Sequence, residues 1–476
     1  MTETNAFQTG WPEIYKQRRN QIRESVGGGI ILWIGHDLQP RNYADNTYPF
    51  RQNSHFLYYT GLSQPDLAML SFSESDNDVL FATPFTMDDI VWSGPSPSLI
   101  ELAAQAGIAK VEKIERLENY LTKAHAQGIP IHYLAPYQHS SLFKMAKLLN
   151  TGIEEVAPGA SQLLMEKVAC QRSIKSDVEI AEIEEALEIT GEMHRACMAA
   201  ACAGKREYEI AGLIQAIALS HDRHQAFTPI VTVHGETLHN HSYNGMLSAG
   251  RLLLNDSGAE SVRYYASDIT RTCPVDGRFS RVQADIYNIV LHMQLGTIDM
   301  IKPGISYRDV HLGACQILVN DMISLGLMKG NASDAVETGA HALFFPHGVG
   351  HMMGLDVHDM EDLGDIVGYG KQEKRSSQFG LNYLRLSRPL EAGYVLTVEP
   401  GIYFIPALMD RWHGEGLHKE FIIYDKLSAF RHFGGIRIED DVLVTQAGTR
   451  VLGSPIPKEI HEVEEACGAS NRWFNC

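Results

Sequence analysis

Apolar residues recur at helical spacing from Ile180 through Ile183, Leu187, Ile189 and Met193 to Cys197, with Glu182, Glu184, Glu185 and Glu188 largely off that stripe. The pattern predicts an amphipathic helix with one face on a core. Just upstream, Arg172-Ser-Ile-Lys-Ser-Asp177 breaks the pattern, and a domain boundary is expected within residues 167–177. Before it the periodicity alternates. Residues 11–23 predict an exposed helix rich in Arg and Gln, and residues 99–106 another helix. Strands are expected at Ile30–Ile34, 66–72, 79–81 and 131–134. That alternation predicts an α/β domain up to about residue 160.

After the boundary, Leu252-Leu-Leu254 and Val395-Leu-Thr-Val398 read as buried strands that end in a carboxylate. Residues 285–300 and 309–325 read as amphipathic helices, 359–384 as a polar, Gly-rich surface loop, and 463–476 as a loose tail. Gly204, Glu209, Ile210 and Ile217 recur as Gly304, Asp309, Val310 and Ile317, offset by 100. A duplicated helix–strand unit and a chance alignment both account for the echo. A duplication would give two similar halves with room for a site between them.

The densest chemistry lies in residues 345–359. Three histidines, His347, His351 and His358, stand among Gly348, Gly350 and Gly354. Glycine allows close backbone approach, and imidazole offers a metal ligand or a proton. An ordinary glycine-rich turn is the competing account. The spacing of these glycines is not that of a dinucleotide fingerprint. Four acids then stand out. Asp256, Asp268, Glu399 and Glu439 each interrupt or end an apolar, β-rich segment. Singly, each reads as a strand-end acid on the surface. Together with His351 they point to a metal site, because buried unpaired carboxylates are costly. Four negative charges suit two divalent ions better than one. Oxygen-rich ligands with one imidazole favour manganese; cobalt, iron and zinc are compatible. H-E-x-x-H, a P-loop and G-x-S-x-G are all absent from the sequence.

Composition narrows the class. The chain has 476 residues, enough for two or three domains, and a net charge of −18, which argues against nucleic-acid binding. Its seven cysteines are scattered without C-x-x-C, as expected of free thiols in the cytoplasm. The first 20 residues lack a secretory h-region, and no run approaches the ~20 apolar residues of a membrane span.

In order, the words Asp256-Ser-Gly, Ser267-Asp-Ile-Thr-Arg-Thr, His347-Gly-Val-Gly-His, Asp356-Val-His-Asp, Thr397-Val-Glu-Pro-Gly and Gly435-Ile-Arg-Ile-Glu-Asp resemble the aminopeptidase P and prolidase branch of the pita-bread-fold metallopeptidases. Phe50-Arg-Gln-Asn-Ser-His-Phe56 with Thr60-Gly61 resembles the N-terminal domain of the same branch. The resemblance implies an α+β protein. A smaller α/β domain would span residues 1–168, a pita-bread catalytic domain 175–460, and a C-terminal tail 461–476. The catalytic domain would be a curved antiparallel sheet backed by helices. It implies a hydroxide bridging two metal ions and hydrolysis of Xaa–Pro bonds at peptide N-termini. Asp256 and Asp268 would hold one metal, His351 and Glu399 the other, with Asp268 and Glu439 bridging. His239, His347 and His358 would contact substrate, with His358 serving the oxyanion. Glu399 would shuttle the proton, and Arg437 would support the site. Trp92 matches a tryptophan that can reach a neighbouring subunit's site, so a homodimer or homotetramer is expected.

Two departures stand out. One extra residue lies near 262–265, where a hairpin bulge would absorb it, and a charged insertion at 410–420 looks more like prolidases. Arg385 matches the prolidase arginine that grips a dipeptide's C-terminal carboxylate; pairing with a loop acid is its alternative. Dipeptide-only specificity is therefore the rival activity. A non-catalytic module or a creatine hydrolase on this fold would lack the metal ligands, all five of which are present.

Overall fold

The computed structural model describes residues 10–73, 77–371 and 373–469. The chain divides into two compact units, Met1–Gln171 and Arg172–Cys476.

The N-terminal unit is built on a five-stranded sheet. Helix α1 (Trp11–Val26) leads into β1 (Ile30–Ile34), followed by β2 (Ala68–Phe72), β3 (Asp78–Ala82), β4 (Lys110–Lys113) and β5 (Ile131–His132). The spatial order is β4-β3-β2-β1-β5, with antiparallel central pairs and parallel outer ones. Ile30, Leu32, Leu70, Phe81, Leu117 and Leu121 lie in its core. Helix α1 is not the exposed helix its composition predicts: Trp11, Tyr15, Arg18, Arg19 and Arg23 are all buried. Its arginines are tied to fixed partners. Arg19 Nε and Arg23 Nη1 meet the two oxygens of Asp78 at 2.6 and 2.5 Å, and Arg19 Nη1 donates to the Tyr59 carbonyl at 2.7 Å. Charge-assisted bonds of this kind let guanidinium groups enter a core.

In the second unit, α2 (Asp177–Ala200) and α3 (Glu207–Ser220) form one helix pair, and α4 (Arg281–Met300) and α5 (Tyr307–Ser324) form another. The sequence echo falls on the two joints. Gly204 and Gly304 both take positive φ, +93° and +88°, a region glycine enters without strain. Each donates its N–H to a leucine carbonyl, Leu247 and Leu390, at 2.9 and 2.8 Å. Each is followed two residues later by a single antiparallel bridge, Arg206↔Met246 and Ser306↔Pro389. The shared geometry supports duplication over chance.

The strands of this unit are β6 (Ile230–Thr232), β7 (Leu252–Ser257), β8 (Ile269–Pro274), β9 (Val395–Val398), β10 (Gly401–Tyr403), β11 (Gly435–Arg437), β12 (Asp440–Thr445) and β13 (Gly448–Val451). They form three antiparallel sheets, β8-β7-β6, β9-β12-β13 and β10-β11, against which α2 and α4 pack.

Three local expectations are corrected. The extra residue between Asp256 and Asp268 makes no bulge. Pairing holds one register from Asp256↔Thr270 to Glu260↔Ala266, and the spare length sits in the turn around Tyr264, φ +69°. Residues 359–384 are not a plain surface loop. Tyr369, Leu381 and Leu384 pack together with Leu312, and the Tyr369 hydroxyl donates to the Leu384 carbonyl at 2.8 Å. The polar composition hides these few apolar anchors. The C-terminal segment is a helix, Ile460–Cys467, where a loose tail was expected. It packs on α2 and β8 with Val463 fully buried, and residues 470–476 lie outside the described set.

Candidate active site

Strand ends of the second unit deliver the acids. Asp256 lies on β7 opposite Thr270 of β8. Asp268 immediately precedes β8, Glu399 follows β9, and Glu439 sits between β11 and β12. Residues 349–353 run alongside β9. The Thr397 N–H donates to the His351 carbonyl at 3.0 Å, the Met353 N–H to Val395 at 3.0 Å, and the Glu399 N–H to Val349 at 2.8 Å. Gly350 is needed for this approach, because a Cβ there would overlap the Thr397 carbonyl and the Tyr307 hydroxyl. His351 is thereby set beside the acids. Its Nε2 lies 3.4 Å from Asp268 Oδ2 and 3.7 Å from Glu399 Oε1. Its Nδ1 faces the Met352 carbonyl at 3.1 Å, the arrangement that orients an imidazole and leaves Nε2 for a metal.

Donor atoms of Asp268, His351 and Glu439 all fall within 4.8 Å of one another. Burial, then the charges of Glu439 and Asp256, raise the Asp268 carboxyl well above its usual range. Burial, then Glu399, does the same to Glu439. Burial lifts Glu399 to about 7, against the pull of Arg437. Arg437 is the cation paired directly with the cluster, through Asp256 Oδ2 at 2.5 Å. Asp256 Oδ1 and Asp268 Oδ1 are buried with no hydrogen-bond partner among the described residues. Oxygens left bare and crowded carboxylates call for more positive charge than one guanidinium supplies. The residues present therefore fit divalent cations.

Around the acids, hydroxyls and an arginine fix positions that the sequence left unassigned. The Thr270 hydroxyl donates to Glu439 Oε2 at 2.5 Å and accepts from Arg437 Nε at 3.0 Å. The Tyr403 hydroxyl accepts from Arg437 Nη1 at 3.0 Å and lies 2.8 Å from His347 Nε2. His347 Nδ1 faces the Gly348 carbonyl at 2.8 Å, so both ring nitrogens are engaged within the protein. Burial and Arg437 push this imidazole down to about 3, so it is neutral. Asp441 is buried and accepts from the Asp268 N–H at 3.0 Å. Between Glu439 and Asp441, Asp440 points the other way, to Arg271 at 2.6 Å and Lys458 at 2.6 Å. Alternation along a strand sorts the three acids. An acidic triplet inside an apolar segment was the available signal for Asp441; for Tyr403 there was only its place after Glu399-Pro-Gly401.

A cavity of about 860 Å³ opens over the acids. Of the expected substrate residues, His239, His347, His358 and Arg385 line it, as does Arg437. His358 stacks edge-on against His351 with ring centres 4.3 Å apart, and its Nδ1 lies 2.9 Å from Glu361 Oε2. Arg385 also pairs with Glu361, the loop-acid pairing held as its alternative, yet both face the cavity. The charged insertion forms helix Pro406–Glu415, and Ile405 and Leu408 give the cavity an apolar wall. Trp92 was expected to serve a neighbouring subunit's site. It lies in the N-terminal unit on helix Met87–Ser93 and is 87% exposed.

Crowded carboxylates with an oriented imidazole at the floor of a cleft define the class: a metal-dependent hydrolase centre. The sequence then gives the family. Residues 181–446 match metallopeptidase family M24, and residues 15–131 match the aminopeptidase P N-terminal domain. The chain belongs to metallopeptidase family M24, whose pita-bread fold it shares. A probable Xaa-Pro aminopeptidase of Metarhizium acridum is 32% identical over 92% of this chain and 84% of the relative. Another, of Fusarium vanettenii, is 33% identical over 93% of both. A variant of Escherichia coli aminopeptidase P in complex with substrate is 28% identical, with a TM-score of 0.77 over 96% of this chain and 98% of that one. Aminopeptidase PepP of Pseudomonas aeruginosa is 26% identical with the same TM-score and the same coverage. Among the described residues no helix is long and apolar enough to cross a membrane.

Proposed function

We propose that this enzyme releases the N-terminal residue from peptides whose second residue is proline. The observation that carries the reading is a single cavity joining the five ligand side chains to His239, His347, His358 and Arg385. The names of the relatives agree with it. In this reading residues 1–168 are the N-terminal domain and 175–460 the catalytic one. Asp256 and Asp268 would hold one divalent ion and His351 and Glu399 a second, with Asp268 and Glu439 shared between them. Manganese is favoured by the oxygen-rich donors. When bound, the ions would supply Lewis acidity and lower the pKa of water.

The chain's own groups do the rest. Glu399 presents Oε1 to His351 at 3.7 Å and Oε2 toward His347 Nδ1 at 3.9 Å. It can therefore serve the floor of the site with one oxygen and move a proton with the other, from the attacking water to the departing proline nitrogen. Glu361 holds His358 through Nδ1, so the ring is fixed at the cavity wall where the carbonyl oxygen gains charge. Arg437 positions Asp256 and, through Tyr403, His347. The apolar wall of Leu238, Ile405 and Leu408 suits a pyrrolidine ring.

Arg385 favours a second reading, a dipeptide-only prolidase, because its guanidinium fork suits a C-terminal carboxylate. A cleavage assay on Xaa-Pro and Xaa-Pro-Xaa-Xaa peptides with added manganese separates the two. Both lengths are expected to be cleaved. Arg385→Ala should lose about 10- to 100-fold on dipeptides, the worth of a charged hydrogen bond, and less on longer peptides. A wild type confined to dipeptides, and silenced by Arg385→Ala, would make the enzyme a prolidase.

The same reading includes self-association as a homodimer or homotetramer. Helix Met87–Ser93 carries Met87, Val91 and Trp92 at 71, 72 and 87% exposure, an apolar face of the kind found at interfaces. Light scattering should give at least a dimer, and a strictly monomeric mass would exclude it. Cys170, Cys197, Cys273, Cys315 and Cys467 form no disulfide among the described residues, which fits a cytoplasmic protein.

A further inference from the structure

A second group of ligand-type side chains lies behind the wall that carries His347, and its chemistry differs from the first. His311 and Cys315 stand one turn apart on α5, and His341 lies on the 3-10 turn Ala340–Leu343. All three are fully buried, at 0% exposure. One donor atom from each falls within 4.8 Å of the others, and His311 Nε2 lies 3.5 Å from Cys315 Sγ. His311 Nδ1 has no hydrogen-bond partner among the described residues, and of the two His341 ring nitrogens only one has a carbonyl, that of Val336, beside it. A bare imidazole nitrogen on each of two buried rings carries a desolvation cost that a bound ion would offset.

We propose that His311, Cys315 and His341 form a structural zinc site, separate from the catalytic centre. With Zn–S about 2.3 Å and Zn–N about 2.05 Å, a 3.5 Å S···N edge subtends about 107° at the metal, a tetrahedral angle. A trigonal ion would need an edge of roughly 3.8 Å with the same bond lengths. Thiolate with imidazole selects zinc over manganese, whereas the carboxylate-rich floor of the cleft selects harder ions. One chain thus sorts two kinds of metal by donor softness. These residues supply three of the four corners of such a site. On binding, the Cys315 S–H bond breaks with its electron pair kept on sulfur, the proton passes to solvent, and no electron is transferred. The Val336 carbonyl lies beside His341, where a carbonyl commonly orients a ligating ring.

The ion would pin α5 to the segment that leads into the active site. The Phe345 N–H donates to the His341 carbonyl at 3.1 Å. Its ring centre lies 5.3 Å from that of His311 and 4.9 Å, edge-on, from that of His347. A plain S–H···N hydrogen bond accounts for the 3.5 Å distance but not for the second, unpartnered nitrogen of His341.

Cobalt(II) gives the test, because a thiolate ligand produces a near-ultraviolet charge-transfer band that carboxylates and imidazoles cannot. The full chain is grown in cobalt-supplemented medium, since a buried site fills during folding. The wild type should carry about three transition-metal ions per chain and show the thiolate band. Cys315→Ala should carry about one fewer and lose the band, while keeping the ions of the cleft. Glu439→Ala should keep the band, which separates this site from the peptidase assignment. Equal metal content in wild type and Cys315→Ala would overturn the proposal. Should that variant fail to fold, the wild type decides alone: about two ions and no thiolate band would also overturn it.

Discussion

Glu439→Ala is expected to lower kcat/KM by on the order of 1000-fold or more, because in the proposed site it removes the ligand shared by both ions and several kcal/mol of charge stabilisation with it. The side chain is 1% exposed, and among the described residues the Thr270 hydroxyl donates to it. Removing it leaves Asp268 and Asp256 facing each other with Arg437 as the paired cation. Elemental analysis of manganese-reconstituted protein should fall from about two ions per chain in the cleft to one or fewer. Circular dichroism should stay near wild type, since the backbone around Glu439 is held by its own bonds to Thr270 and Arg271. Full activity with full metal in this variant would remove Glu439 from the shared position.

The second large effect belongs to His358→Ala, which should keep both ions and the fold while kcat drops on the order of 100-fold or more. The ring touches His351 edge-on and Glu361 through Nδ1, and it has no bond to the carboxylate floor in this structure. A donor that meets charge only as the carbonyl oxygen becomes an oxyanion acts on the transition state. The loss should therefore appear in kcat more than in KM. Metal loss in this variant would instead make His358 a ligand.

The grouping of these side chains around one cavity was legible because the candidate ligands sit in words, and words survive without a fold. Asp256, Asp268, His351, Glu399 and Glu439 each carry neighbours that mark them: a preceding apolar run, a threonine two residues on, or a glycine that admits a carbonyl. The residues that hold them in place carry no such mark. Tyr403 matters because β10 pairs with β11 in the register Gly401↔Arg437, which brings its hydroxyl to the Arg437 guanidinium. Asp441 matters because β12 alternates, and nothing local separates it from Asp440. The exposed reading of α1 failed for a related reason. Arg18, Arg19 and Arg23 look solvated until Asp78 and the carbonyls of Tyr58 and Tyr59 arrive from 40 to 59 residues away. Composition reports what a side chain prefers in water, whereas pairing decides what it tolerates inside.

The Arg437–Asp256 bond joins residues 181 positions apart. Its consequence concerns assembly in time. A contact of that span is reached only after the chain has paid most of its loop-closure entropy, so it belongs to the late, topology-limited part of folding. During synthesis, Asp256 and Asp268 emerge first, His351 and Glu399 follow, and Glu439 comes near the end. No partial chain holds a complete donor set, and the acids made first meet water until the last one arrives. Full occupancy of the proposed two-ion cleft would thus be a late event of biogenesis, reached only after β11 and Glu439 have been made.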